Sequence, residues 1–211
     1  MKKGIIFDLD GVIVHTDKFH YLSWKALADS LGIYFDEQIN NRCRGVSRMD
    51  SLEIVLEKSA TAYTQEEKLA FAESKNRIYR NYLLSMTEKD VDPVVRQTLA
   101  ELKQRGYLIA VGSSSKNTKL ILKQVGLDSC FDAICDGNMI THSKPHPEVF
   151  LKAAEMINLP AEVCYVVEDA VAGVQAGISA NMRTFAIGDA AKANVATYNI
   201  TSLGDILTIL D

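Results

Sequence analysis

The stretch "GIIFDLDG", residues 4–11, decides the fold. Its first four residues are almost continuously apolar and rich in β-formers. That is the pattern of a strand buried on both faces of a parallel sheet, where no polar face is needed. The run ends in two carboxylates, Asp8 and Asp10, alternating about Leu9, with Gly11 behind them. Residues i and i+2 of an extended chain share a face, so both acids can reach one place. A lone pair of this kind more often makes a turn or a helix cap, and its chemical reading depends on what else converges on the same rim.

Working outward, "GYLIAVGSSS", "EVCYVVEDA" and "MRTFAIGDA" repeat the design, each an apolar run ending in small or acidic residues. Amphipathic helical stretches lie among them: "PVVRQTLAELKQRG", "NTKLILKQVG", "HPEVFLKAAEMINL" and "DAVAGVQAGISAN". This alternation predicts right-handed crossovers and a doubly wound, Rossmann-like α/β parallel sheet. Residues 15–86 break it. "KFHYLSWKALADSLG", "RMDSLEIVLEKS" and "QEEKLAFAESKNRIYRNYLL" read as amphipathic helices with no convincing strand between them. The expected organisation is an α/β core domain, 1–14 and 87–211, with a helical cap domain, 15–86, inserted after the first strand. Such an insert leaves and re-enters at neighbouring points and is suited to pivot as a lid.

Composition agrees with a soluble globular chain of 211 residues, 47% hydrophobic and 24% charged. A net charge of −4 gives no basic face for nucleic acid, so an anionic substrate must be met by a few local cations. The four cysteines, Cys43, Cys130, Cys135 and Cys164, show no CxxC pair and no short His/Cys ligand spacing. They read as buried thiols of a reducing cytoplasm rather than a zinc or dithiol site. The N-terminal apolar run, broken by Asp8, is too short for a signal or a membrane span. Cytoplasmic location is expected, with no membrane or nucleic-acid partner. The polar helix faces and the lack of a sustained heptad make a monomer the expected state.

In an open parallel sheet, ligands collect at the carboxyl ends of the strands. Asp8 and Asp10 fall there, as do Ser113, Ser114, Ser115, Glu168 and Asp169, and "HSKPHPE" brings Lys144 just before a helix start. Grouped carboxylates repel one another, so a cation belongs among them, and magnesium with its preference for oxygen is the natural one. One aspartate can then attack phosphorus while a second moves a hydroxyl proton, with Lys144 and a serine balancing charge on the transferring group. Singly, "SSSKN" and "ED" would each serve as helix caps.

"DLDGV", "GSSS", the Lys144–Pro145 pair and "VVEDAVAGVQAG" together resemble the haloacid dehalogenase superfamily, across the whole chain and in order. The resemblance implies that Asp8 is the nucleophile, Asp10 the general acid and base, and Lys144 the conserved lysine. Glu168 and Asp169 become the acidic metal pair, with Asp8 and the backbone carbonyl of Asp10 completing the magnesium set. Within that superfamily, "RGVSRMDSL", "SSSKN" and "HYLSWKAL" look like the β-phosphoglucomutase family. That family interconverts β-glucose 1-phosphate and glucose 6-phosphate with glucose 1,6-bisphosphate as primer.

A mutase needs a second anion site. Arg48 can fork onto a distal phosphate, with Gly45, Val46 and Ser47 supplying further donors. Ser113, Ser114, Ser115, Lys116 and Asn117 would hold the other phosphate. Trp24 offers an aromatic face near the sugar or a core contact in the stripe with Leu27 and Leu31, and His20 a structural or a reporting hydrogen bond. Thr16 is the expected hinge. The pattern is broken at His15, at Ala170 where a serine is usual, and at Val94 where a glycine commonly follows the proline. Two other readings stay open: a magnesium-dependent sugar-phosphate phosphatase of the same fold, and a catalytically silent sugar-phosphate sensor.

Overall fold

A computed structural model describes residues 2–44 and 46–210. Six strands form one parallel sheet: β1 (Gly4–Phe7), β2 (Leu108–Gly112), β3 (Ala133–Cys135), β4 (Cys164–Glu168), β5 (Arg183–Ala186) and β6 (Tyr198–Asn199). Their order is β3-β2-β1-β4-β5-β6, so β1 is central, paired on one side with β2 and on the other with β4. The order in which strands are added switches from one side of β1 to the other between β3 and β4, which puts the crevice for ligands at the ends of β1 and β4. Four strands are those expected; β3 and β6, of three and two residues, are additional.

Every residue of β1 is fully buried, as its unbroken apolar run requires. Its side chains alternate between two cores. Ile5 and Phe7 join Ile109, Val111, Tyr165 and Val167 on one face, while Ile6 joins Ala110 and Val166 on the other. The first core is covered by α5 (Pro93–Gln104) and α6 (Thr118–Gln124), through Leu99, Leu102, Ile121 and Leu122. The second is covered by α7 (Glu148–Met156), through Val149, Phe150 and Ala153, and by α8 (Val171–Ser179), through Ala176.

Between β1 and α5 the described residues form four α-helices, α1 (Asp17–Ser30), α2 (Glu37–Arg42), α3 (Arg48–Leu56) and α4 (Gln65–Leu83), and a short 3-10 turn, Glu88–Asp90. Three match the amphipathic stretches; α2 is an addition, started by Asp36, whose carboxylate accepts the Ile39 N–H at 2.9 Å. These helices share a core of their own, built on Trp24, Leu27, Phe35, Leu52, Val55 and Ala72. The last turns of α4 do not belong to it: Tyr79 and Leu83, with Met86, pack into the sheet core. The helical unit is therefore anchored through the end of α4. Two further helices, α9 (Gly188–Ala193) and α10 (Asp205–Ile209), complete the chain. The cysteines are free, but only Cys135 and Cys164 are buried; Cys43 and Cys130 are half-buried, a correction to the expectation of four buried thiols.

Candidate active site

Past β1 the ladder continues for one bond, from Asp8 N–H to the Val167 carbonyl at 2.9 Å. The chain then turns tightly: Gly11 N–H donates to the Val14 carbonyl at 2.7 Å and the Val14 N–H returns to the Leu9 carbonyl at 3.1 Å. Gly11 has a φ of 85°, and a Cβ there would sit 2.1 Å from Asp169 Oδ2. The glycine of "DLDG" thus serves twice, permitting the turn and making room for a carboxylate from the next strand.

That carboxylate belongs to a cluster. Asp8, Glu168 and Asp169 are all buried and each places an oxygen within 4.8 Å of the others. Lys144 Nζ lies 2.5 Å from Asp8 Oδ1 and from Glu168 Oε1 and donates to the Gly112 carbonyl at 3.1 Å. Burial alone would lower this ammonium's pKa, but Asp8 and Glu168 outweigh it and raise it above the ordinary lysine value. Burial, reinforced by Asp8, raises Asp169 to about 7; burial also raises Glu168, with Lys144 opposing and the neighbouring carboxylates adding to it. Three buried carboxylates against Lys144, with Arg44 reaching Asp169 from the cap, still leave net negative charge, and all donors are oxygen, so the set fits a hard divalent cation such as magnesium. The Asp10 side chain is not in this cluster, which leaves its backbone carbonyl as the atom the resemblance nominates.

Asp10 instead receives a hydrogen bond from Thr16, whose Oγ1 also lies 2.9 Å from the Tyr79 hydroxyl. Burial raises Asp10 to about 7, the Thr16 bond opposes this, and Asp8 adds to it. A carboxyl near neutrality can both give and take a proton. Thr16 is fully buried at the mouth of α1, where the chain passes from core to cap.

Across from these groups stands the helical unit, and one cavity of about 610 Å3 separates the two walls. Asp8, Asp10, Ser113, Ser114, Ser115, Lys116, Asn117, Lys144, Glu168 and Asp169 line it from the core. His20, Trp24, Val46, Ser47 and Arg48 line it from the cap. All of these sequence-nominated residues therefore face one space, while Gly45 lies outside the described residues. Ser114 Oγ is the one buried side-chain nitrogen or oxygen atom among the described residues without a hydrogen-bond partner. A buried orphan hydroxyl facing a cavity is a place for an anion's oxygen.

Of the two roles expected for Trp24 the structure gives the core contact: it is 2% exposed and belongs to the core of the helical unit, with the Lys75 ammonium 4.6 Å from its ring centre. Other contacts differ from expectation. Asn117 does not cap α6 with its side chain; its amide crosses to Asn76 on α4 at 2.9 Å. Asn76 Oδ1 also accepts from Arg48 Nη2 at 2.9 Å, so Arg48 is held by a bond that continues into the core. Ser47 caps α3, accepting the Asp50 N–H at 3.1 Å. Ala170, in the place of a serine, has no capping side chain, and Glu168 Oε2 takes the Asp169 and Ala170 N–H groups at 3.0 and 3.1 Å.

Two cations were not foreseen in their roles. Lys75, only 3% exposed, lies 3.0 Å from His20 Nδ1 and 4.5 Å from the Tyr79 ring. Burial, aided by Arg48, lowers it to about 7, and burial with Lys75 lowers His20 as well. A signal existed: the buried stripe of α4 is Ala72, Lys75, Asn76, Tyr79 and Leu83, so two polar residues occupy core spacing. Arg44, the first cation of "RGVSR", reaches 2.7 Å to Asp169 Oδ2, 3.2 Å to Asp189 and 3.4 Å to Asp17. It ties cap to core beside the carboxylate cluster.

The sheet order, the helical insert and a buried carboxylate set at the central strand's end define a class, α/β proteins with an acidic site at the strand ends beneath a helical insert. The chain belongs to the haloacid dehalogenase-like hydrolases, whose family model matches residues 2–181. It is 39% identical over 188 residues to the β-phosphoglucomutase of Bacillus subtilis, covering 88% of this chain and 82% of that protein. The crystal structure of a Clostridium difficile β-phosphoglucomutase superposes with a TM-score of 0.92 at 36% identity, over 98% of this chain and 93% of that one. A phosphorylated carbohydrates phosphatase of Thermotoga maritima is 28% identical, over 85% of this chain and 82% of its own length. Among the described residues no helix is long and apolar enough to cross a membrane.

Proposed function

We propose that the chain acts as a β-phosphoglucomutase, interconverting β-glucose 1-phosphate and glucose 6-phosphate through a phosphorylated Asp8 and a glucose 1,6-bisphosphate that also primes it. One observation carries this reading: the cavity has cationic groups on opposite walls, Lys144 in the core and Arg48 with Lys75 in the cap. A phosphatase needs one phosphate seat, whereas a bisphosphate intermediate needs two. The 39% identity to the Bacillus subtilis enzyme supports the same choice.

Asp8, Glu168, Asp169 and the Asp10 carbonyl would hold magnesium, which when bound would offset charge on the phosphoryl oxygens. Asp8 Oδ forms the bond to phosphorus as the sugar oxygen–phosphorus bond breaks, and Asp10 passes its proton to the departing sugar oxygen. That half-reaction takes the bisphosphate to a monophosphate; in the other half the free hydroxyl of a sugar monophosphate attacks the aspartyl-phosphate, gives its proton to Asp10, frees the Asp8 carboxylate and leaves the sugar as the bisphosphate. Lys144 and Ser114 steady the transferring group, while Arg48 and Lys75 hold the distal phosphate. Thr16 positions Asp10, and its place where the chain enters the cap couples that alignment to closure. Water arriving with the cap open finds no aligned base, which keeps hydrolysis slow. The working unit on this reading is a monomer acting on free sugar phosphates.

Phosphorus NMR with magnesium, β-glucose 1-phosphate and a trace of the bisphosphate tests this. Glucose 6-phosphate should accumulate without inorganic phosphate. Stoichiometric phosphate release would replace the mutase by a sugar-phosphate phosphatase, the reading that the Thermotoga maritima relative favours. Arg48→Ala separates the two as well, since a phosphatase should be indifferent to it.

A further inference from the structure

A second group of ligand-type side chains lies outside the catalytic cluster. In "HSKPHPE", His142 and His146 stand two residues to either side of Lys144, and Glu148 begins α7. The two imidazole rings are 4.6 Å apart, centre to centre. His142 Nδ1 lies 3.1 Å from Glu148 Oε2, and one ligand atom of each of the three residues falls within 4.8 Å of the others. Both histidines are exposed and Glu148 is half-buried.

The carboxylate is already fixed in place. Lys152 holds Oε1 at 2.6 Å, and the His142 N–H donates to Oε2 at 2.8 Å. The Thr141 N–H bridges both oxygens at 3.1 Å. The Lys152 bond first, then the backbone donors, lower Glu148 to about 2, so it is anionic at any working pH. Oε2, free of the lysine, is the oxygen turned to the histidines. His146 makes only a long bond here, its Nδ1 accepting the Glu148 N–H at 3.3 Å, which a stronger partner would displace. Asp50 of α3 lines the same groove from the cap side and adds negative potential.

Two imidazoles and a carboxylate are the donor set of zinc and its borderline neighbours, whereas magnesium prefers oxygen alone. We propose that His142, His146 and Glu148 form a surface site for a zinc-class divalent cation, separate from the all-oxygen cluster of Asp8, Glu168 and Asp169. It uses none of the four cysteines, whose spacing gave no zinc signal. A cation there would clip residues 142–148 to the start of α7, and Lys144 departs from the middle of that clip. The site is thus placed to restrain the segment that delivers the lysine to Asp8.

The test is calorimetric titration of zinc chloride into tag-free, full-length protein, with millimolar magnesium present to occupy the oxygen cluster. The wild type should bind one zinc ion in the micromolar range, and His146→Ala and His142→Ala/His146→Ala should weaken it by roughly tenfold or more. Both histidines are exposed, so circular dichroism should show the variants folded. Wild-type heats no larger than dilution, or a double variant that binds zinc as tightly as the wild type, would overturn the site.

Discussion

Lys75→Met should make the fold more stable while weakening the binding of sugar phosphates. Lys75 is 3% exposed, and its pKa falls from the ordinary 10.5 to about 7. Between those two values the unfolded chain holds the proton that the folded chain has lost, so wild-type stability rises with pH across that window. Linkage over it gives a cost of about 4 kcal/mol at pH 7 and about 1 kcal/mol at pH 10. Methionine fills a similar volume without a charge. Losing the bond to His20 returns about 1 kcal/mol. The variant should therefore exceed the wild type by about 3 kcal/mol at pH 7 and by roughly nothing at pH 10. Urea unfolding followed by far-UV circular dichroism in EDTA measures both gaps. Equal gaps at the two pH values, or a less stable variant at pH 7, would refute the account of Lys75 as a strained buried cation. Its companion, a tenfold or greater rise in KM for glucose 1-phosphate, is the functional return for that strain.

Asp8→Asn should cut phosphoryl transfer by about four orders of magnitude or more and leave no acid-stable phosphoenzyme; rapid turnover by this variant would end the aspartyl-phosphate mechanism. At Gly173 two effects oppose each other. Alanine improves helix propensity by about 1 kcal/mol, but its Cβ would stand 1.9 Å from Glu168 Oε1. Gly173→Ala should therefore lose about 1–3 kcal/mol by urea unfolding and bind magnesium more weakly by calorimetry, and a stabilised variant would show that Glu168 moves freely. Arg44→Ala removes the cation that joins the cap to Asp17, Asp169 and Asp189. Small-angle scattering of the ligand-free protein should show a larger radius of gyration, and an unchanged radius would mean that the cap is held by other contacts.

The core was legible because its strands are apolar on both faces and end in chemistry. "GIIFDLDG" reveals a central strand and its two acids at once, and Ser113, Glu168 and Asp169 fall at strand ends visible in the same way, while Lys144 showed only through "HSKPHPE" ahead of α7. β3 and β6 were missed because three and two residues carry no periodicity. Lys75 and Asn76 were missed because charge on a helix usually faces solvent, although their spacing with Ala72 and Tyr79 marks the buried face. Arg44 could not have been read correctly. Its strongest partner, Asp169, lies 125 residues away, and "RGVSR" alone gives no preference between three carboxylates and a phosphate. Trp24 shows the reverse case: the apolar stripe placed it in a core, and a core is where it sits.

The placing of β1 has a consequence for the order in which the molecule comes into being. This strand and Asp8 leave the ribosome before the other strands, yet their hydrogen-bonding neighbours start at Leu108 and Cys164. Until the chain has passed Leu108 the sheet's middle strand has nothing to pair with, while the intervening helices have a core of their own to close. Joining β1 to β4 closes a loop of well over a hundred residues, an entropic step that short-range contacts cannot shortcut. The nascent chain therefore carries no half-built catalytic centre to trap a metal ion or a phosphate early. Nucleophile, lysine and acidic pair can meet only after β4 has been made and joins β1.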